Sequence, residues 1–422
     1  MASWLLATAV YVAAIRLLGG VTSGDDSDST NTVWAFAHGM MSCAYPPHNQ
    51  YGLPYSAPLY PLLAGGLSAV LRIGHRVSFP SSSAFGAHCS HAVLAMYYWS
   101  LKTGASVTTL QLGYIGWVVL MAGVVVLLRS SGRGRCAWES LTVVALALVP
   151  PVLMSLHEYF HPQDMVAMGL ILAGLACVTR GSWVRAGILL GLAFTGQQFT
   201  LLVLAPLVLI VPRAQLARFV ASAVGAVVAV VAPIAAFAPR GVIDAAFTGS
   251  GTTGTSSTWL DLTRLSGPSL FFVSRFAPIA IAMILAWWAY ERLGPMLVGP
   301  VPLLSLMATS LALRLIFEVN LWGYYFLATA VSILVMDVVR ERLRWGYLVW
   351  LVMVTVAFHP VLGQISALHA LATPWLALWV WQLVLTLAGL YLAATPLVAM
   401  VRESGPRDIT ARATGLVDRG SA

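Results

Sequence analysis

The sequence predicts an all-α integral membrane protein, a single bundle of about a dozen membrane-embedded segments. Three observations predict it. The 422 residues are 59% hydrophobic and 9% charged, with a mean hydropathy of +0.84, whereas soluble chains carry about 25% charged residues. The apolar residues fall in runs close to the ~20 residues a helix needs to cross a bilayer. The basic residues, 22 arginines and Lys102, gather in short clusters between those runs, where the positive-inside rule places them. This composition excludes a soluble enzyme, a disordered chain, a collagen and a nucleic-acid-binding domain. Four cysteines are too few for a disulfide framework.

The elements follow in order. The first apolar run, 2–20, has no basic segment before it and no small-x-small cleavage site after it. It reads as a retained first span. A long outer loop over about 21–108 carries three semi-apolar pieces, 31–44, 58–72 and 84–101, punctuated by Trp, Tyr, Arg and His. Each is too short or too interrupted to span, so they predict interfacial helices lying on the membrane. Spans follow at 109–128, 137–156, 163–179, 219–238, 269–289, 296–315, 322–338, 346–359 and 373–397. The stretch 187–211 has the length to cross once, but Thr195-Gly196-Gln197-Gln198 interrupts its middle. Backbone broken at that depth must be buried in protein or line a cavity, so this stretch predicts a re-entrant pair of half-helices. Residues 1–401 form one transmembrane domain, and 402–422 a disordered cytoplasmic tail.

Charge tests this topology. With a cytoplasmic N-terminus and the re-entrant pair included, 15 of the 23 basic residues fall in inside loops and the tail. A single crossing at 187–211 would put Arg213 and Arg218 outside and invert the bias downstream. In the same topology all nine histidines and eight of the 15 acids lie outside. Chemistry therefore belongs on the outer face of a multi-pass protein of the plasma (inner) membrane.

Several strings carry a family likeness. DSDSTNTVWAFAHGMMSCAYPP (26–47) holds an acid, an Asn-Thr-x-Trp, a His-Gly and a Cys-x-Tyr-Pro-Pro. HPQDMVAMGLILAG (161–174), WVRAGILLGLAFTGQQFTLLVLAPLVLI (183–210) and RLIFEVNLWGYYF (314–326) complete the pattern. Together with the long first outer loop, they resemble the GT-C superfamily, integral-membrane glycosyltransferases that use polyprenyl-phosphate sugars, and in particular its actinobacterial members. The resemblance covers most of the chain. It implies a GT-C-like bundle and transfer of a sugar, mannose or arabinose, from a polyprenyl-phosphate donor. The acceptor is a hydroxyl of a glycolipid or cell-wall glycan. It implies membrane lipids as surroundings, no nucleic acid, no required cofactor and no resident metal, with divalent-metal dependence left open.

The resemblance also implies roles. An acceptor hydroxyl must lose a proton as it attacks, and a positioned carboxylate takes it. Asp28, the acid before Asn-Thr-x-Trp, is the first candidate base, with Asp25 and Asp26 in reserve. The lipid-phosphate leaving group needs a nearby cation. Arg314 is that cation, with Glu318 four residues on, and Arg275 and Arg264 are the second choices. Glu158, His161, Asp164 and His38 belong to the substrate-binding set, and Tyr324 and Tyr325 stack on sugar or isoprenoid. Gln197-Gln198 departs from the pattern, standing where relatives carry Lys or Arg.

The bland readings are equally physical. Asp25–Asp28 makes a solvated acidic turn, Asp164 caps a helix N-terminus, and Arg314 and Glu318 neutralise each other at i,i+4. Two other functions stay open. A transporter or lipid flippase needs ionisable groups near the midplane and paired broken helices. A membrane zinc protease matches His157-Glu158-Tyr159-Phe160-His161 to H-E-x-x-H, although Pro162 biases His161 away from helix. His88-x-x-His91 marks the face of an interfacial helix or a metal site. If any disulfide forms, topology permits only Cys43–Cys89. The Gly/Ser/Thr-rich loop 240–268 reads as a lid or a plain mobile loop.

Overall fold

The computed structural model describes residues 2–18, 25–45, 57–73, 106–132, 136–157, 159–247, 258–358 and 374–404, which form helices and turns with no strand. The chain opens with α1 (Ala2–Leu18), followed by α2 (Asp25–Ala37), α3 (Met41–Ala44) and α4 (Leu59–Ile73) in the first long connection. Next come α5 (Ser106–Ser130), α6 (Cys136–Leu146), α7 (Pro150–His157), α8 (Pro162–Thr179), α9 (Trp183–Gly196) and α10 (Leu201–Ile210). The second half comprises α11 (Arg213–Phe237), α12 (Pro239–Phe247), α13 (Gly267–Leu293), α14 (Pro300–Phe317), α15 (Leu327–Val339), α16 (Trp345–Phe358) and α17 (Pro374–Glu403). The third semi-apolar piece of the first loop (84–101), with His88, Cys89 and His91, lies outside the described residues. So do Glu158, loop residues 248–257 and the tail from Gly405.

Among the described residues six helices (α5, α8, α11, α13, α14 and α17) are long and apolar enough to cross a bilayer. The pair α6–α7, bent by 46°, makes a seventh. The other apolar runs give shorter helices, and the interruptions have local causes. Pro150 and Pro151 lack the N–H groups that would continue α6. Gln197 is extended (φ −159°, ψ 136°) and ends α9. A 3₁₀ turn over Gly323–Phe326 precedes α15. The protein is thus an all-helical, multi-pass membrane architecture.

Contact registers give the helix directions. Gly116 meets Pro162 and Met165, and Gly123 meets Gly169, so α5 and α8 run the same way. At that crossing the two glycines let the backbones touch: a Cβ on either would enter the other helix's main chain. Gly174 packs on Leu190 and Gly196 on Ala167, so α9 runs back along α8. Trp183 lies 6.4 Å from Phe219, while Gly187 packs on Phe219 through Ala223 and Gly191 on Ala223. The α9 and α11 helices therefore run parallel. Since α10 is all that joins them, it carries the chain back to the end where α9 began.

Burial follows from this packing. Every residue of α15 is buried, which makes it the centre of the bundle. The α11 and α13 helices lie at the rim and expose Val224, Val228, Phe272, Phe276, Ile284 and Trp287, an apolar surface suited to lipid. One end carries arginine-acid pairs. Arg129 clamps Glu139 through two hydrogen bonds of 2.9 and 2.7 Å, and Arg344 binds the fully buried Asp337 at 2.8 Å. The other end carries the first-loop helices. Gly65 of α4 packs on Phe36 of α2, Gly241 packs on the Tyr45 carbonyl, and Tyr60 lies 6.5 Å from Phe160. The expected interfacial pieces 31–44 and 58–72 thus appear as α2–α3 and α4. Cys43 is disulfide-bonded, with its partner outside the described residues, and Cys177 is a free thiol.

Candidate functional site

At the end of the bundle that carries α2–α4, four elements bring charged and aromatic side chains together. These are the start of α8, the break after α9, the end of α14 and the 3₁₀ turn before α15. Each is a helix terminus or a break, where backbone groups lose their helical partners and side chains take over.

Arg314 and Glu318 anchor the cluster. Arg314 Nε donates to Glu318 Oε2 at 2.9 Å, and Arg275 Nη1 lies 3.6 Å from Oε1 of the same carboxylate. The three side chains are 15%, 5% and 28% exposed for Arg314, Glu318 and Arg275. Glu318 is the extended residue that ends α14, so its i,i+4 contact forms across the helix terminus rather than along a continuous face. The loop after α12 pins that geometry: Thr258 Oγ1 donates to the Glu318 carbonyl at 2.9 Å, and Trp259 Nε1 donates to the Ile316 carbonyl. The end of loop 240–268 is therefore fastened to α14.

The Arg314 guanidinium lies between two rings, 5.1 Å from the Phe199 centroid and 4.5 Å from that of Tyr325. Cation–π contact of this kind holds a guanidinium without using its N–H groups. Among the described residues only Nε of Arg314 makes a hydrogen bond, so its Nη donors are unspent.

Asp164 faces Arg314 from the first turn of α8, with His161, Glu318 and the Gln197 side chain beside it. Asp164 is 2% exposed, and its Oδ1 and the Oε1 of neighbouring Gln163 have no hydrogen-bond partner among the described residues. Gln163 Nε2 lies 2.9 Å from His161 Nδ1. His161 stacks on Tyr324 at 4.0 Å and 12°, and Tyr159 stands 5.0 Å from Tyr324 and 5.6 Å from Trp322. Trp322 is 46% exposed, so the aromatic group reaches the molecular surface.

The structure thus brings together Arg314, Glu318, Arg275, Asp164, His161, Tyr324 and Tyr325. Two expected residues are seen in other surroundings. His38 turns back on its own helix, with Nδ1 3.0 Å from the Trp34 carbonyl and its ring 4.7 Å from the Trp34 ring. Arg264 is exposed and left-handed (φ 56°) at the end of the 3₁₀ turn Trp259–Thr263. Asp25, Asp26 and Asp28 occupy the first turn of α2, with side chains outside the described residues, and Glu158 lies outside them too. The residues not anticipated are Gln163, Phe199, Tyr159 and Trp322. Gln197 enters the site, but as a neutral partner of Asp164 where a cation is expected.

The H-E-x-x-H string does not lie on one helix. His157 ends α7, Phe160 is left-handed (φ 45°), and His161 precedes the first residue of α8. The two histidines therefore lack the shared helical face that a zincin site uses. No group of three or more His, Cys, Asp or Glu is placed to hold a metal among the described residues. No protein-family model matches the chain, and a search of curated proteins returns no relative.

Proposed function

We propose that the protein is a GT-C-like membrane glycosyltransferase. It moves a sugar, mannose or arabinose first, from a polyprenyl-phosphate donor to a glycolipid or cell-wall glycan hydroxyl on the outer face. The observation that carries this reading is Arg314. It is a largely buried guanidinium with unspent Nη donors, held by two rings and one carboxylate at the mouth of a membrane bundle. An intramembrane charge placed this way marks a functional site by default, and planar N–H forks suit phosphate oxygens.

In the proposed reaction the donor phosphate lies against the Arg314 Nη groups, with Arg275 as the second cation. The acceptor oxygen attacks the anomeric carbon and forms the new glycosidic bond. The bond from that carbon to the phosphate oxygen breaks, and the electron pair leaves with the lipid phosphate. The acceptor proton passes to a carboxylate, Asp28 first and Asp25 or Asp26 in reserve. The α2–α4 cap supports this choice, since it lies at the same end as Arg314 and α2 begins with these acids. Asp164, Gln163, His161 and the tyrosines shape the sugar subsites. The parallel course of α9 and α11 supports a re-entrant pair within a bundle of about 12 segments, and the disulfide at Cys43 suits an oxidising outer compartment.

The test is transfer in membranes from polyprenyl-phosphate mannose and arabinose, comparing wild type with Asp28→Asn and Arg314→Gln. Loss of about 100-fold or more for Asp28→Asn is expected of a general base. Full transfer by that variant removes Asp28 as base, and no transfer by wild type from any polyprenyl donor removes the reading.

A further inference from the structure

We propose that the arginine-only end of α8, α9 and α11 is a binding site for anionic phospholipid headgroups. The proposal rests on the membrane-spanning architecture and is independent of the transferase reading. Between Asp164 and Asp244 the sequence contains no acidic residue, yet it carries Arg180, Arg185, Arg213 and Arg218. The parallel packing of α9 on α11 gathers them. Trp183 meets Phe219, so Arg218 stands level with Arg180 and Arg185 on either side of that contact. Arg213 lies over a helical turn further out. All four side chains are exposed, and none has an ion-pair partner among the described residues.

Other turns at this end carry acids beside their arginines. Arg129 is clamped by Glu139, and Arg340, Arg342 and Arg344 share their turn with Asp337 and Glu341. The end at α8, α9 and α11 has no such acid, so its four positive charges are uncompensated.

The chemistry of the surroundings selects a lipid rather than a dissolved anion. Val184, Ile188 and Val220, exposed by 44%, 42% and 40%, continue directly from the arginines along the bundle surface. Guanidiniums at the edge of an exposed apolar surface sit at headgroup depth, with their stems along acyl chains. Four unpaired cations there favour phosphatidylglycerol-like headgroups over zwitterionic ones.

The experiment counts lipids retained by the full-length protein. Purified protein in mixed micelles of phosphatidylglycerol and phosphatidylcholine is examined by native mass spectrometry. Wild type is expected to retain phosphatidylglycerol selectively and to lose that preference as salt rises. Each arginine is worth about fivefold in such partition, so Arg180→Gln/Arg218→Gln should lower the preference about 25-fold. Arg180→Lys/Arg218→Lys keeps the charge and should hold the preference within a fewfold, which separates lipid binding from misfolding or reversed insertion. Arg340→Gln/Arg342→Gln should leave the preference nearly unchanged. An unchanged preference in the first variant, an equal loss in the last, or insensitivity to salt overturns the proposal. Complete displacement by millimolar inorganic phosphate assigns the patch to a free anion and overturns it as well.

Discussion

Replacing Glu318 with Gln removes the one carboxylate that Arg314 and Arg275 share, and it should move stability and donor binding in opposite directions. Removing one partner of a buried ion pair costs about 3–5 kcal/mol, because the other charge is left buried without compensation. Glu318 and Arg314 are 5% and 15% exposed, whereas Arg275 is 28% exposed and partly screened. The lower part of the range therefore applies, about 3 kcal/mol. Equilibrium unfolding in mixed micelles, with Arg314→Gln and the double variant completing a cycle, reads the cost. The pair should show a coupling of at least about 1 kcal/mol. If Arg314 also holds the donor phosphate, freeing it from Glu318 should lower the KM for a polyprenyl-phosphate sugar while stability falls. A Glu318→Gln variant within about 0.5 kcal/mol of wild type, with an additive cycle, refutes the placement of Arg314 and Glu318 in one buried site. A raised donor KM refutes the competition between carboxylate and phosphate.

The close crossing of α5 and α8 predicts that Gly169→Leu abolishes folded yield, since its side chain must enter the α5 main chain. Gly225→Ala, at a position open to lipid, should be neutral or stabilising by up to about 1 kcal/mol in the same unfolding assay. Glu341 occupies the left-handed position (φ 54°) after α15, where Arg342 N bonds the Asp337 carbonyl and Glu341 N bonds that of Val338. Glycine suits that cap, so Glu341→Gly should stabilise by about 0.5–1 kcal/mol; a destabilised variant refutes the cap. Ser182→Cys and Pro212→Cys, each in a background without Cys136 and Cys177, should react with an impermeant maleimide from the same side of the membrane. Labelling from opposite sides identifies 183–210 as one crossing.

The helical class was legible because it depends on composition and on runs of side chains, properties that do not require partners. The break at Thr195–Gln198 was legible for the same reason, since polar residues in an apolar run disclose it locally. Which side chains meet at that break was not. Phe199 looks like filler until α9 and α10 reverse and set it against Arg314, and Gln197, conspicuous as a departure from the pattern, shows its partner only when Asp164 stands beside it. Gln163 was passed over because its neighbour Asp164 carries the charge, and Tyr159 and Trp322 because aromatic residues at an interface are ordinary belt chemistry. His38 stands out in the sequence by its place in a motif, while its contact with Trp34 arises from the turn after α2, which the letters alone do not disclose. Arg264 and Arg275 look alike in the sequence, and only the fold sets Arg275 against Glu318 while Arg264 is exposed.

One reversal organises both ends of the molecule. Consecutive spans normally alternate, so their outer termini and inner termini are shared evenly around a bundle. The α9–α10 pair departs from this because Gln197 ends α9 in mid-run and α10 turns back. At the end that carries α2–α4 the break brings Phe199 onto Arg314 and Gln197 beside Asp164. On the other side it returns α11 to the start of α9, which collects four arginines with no acid between them. A substitution that let 183–210 run on as one helix would therefore disturb two distant properties together, the charged cluster around Arg314 and the arginine patch. That joint loss separates a structural role for the break from a merely local contact.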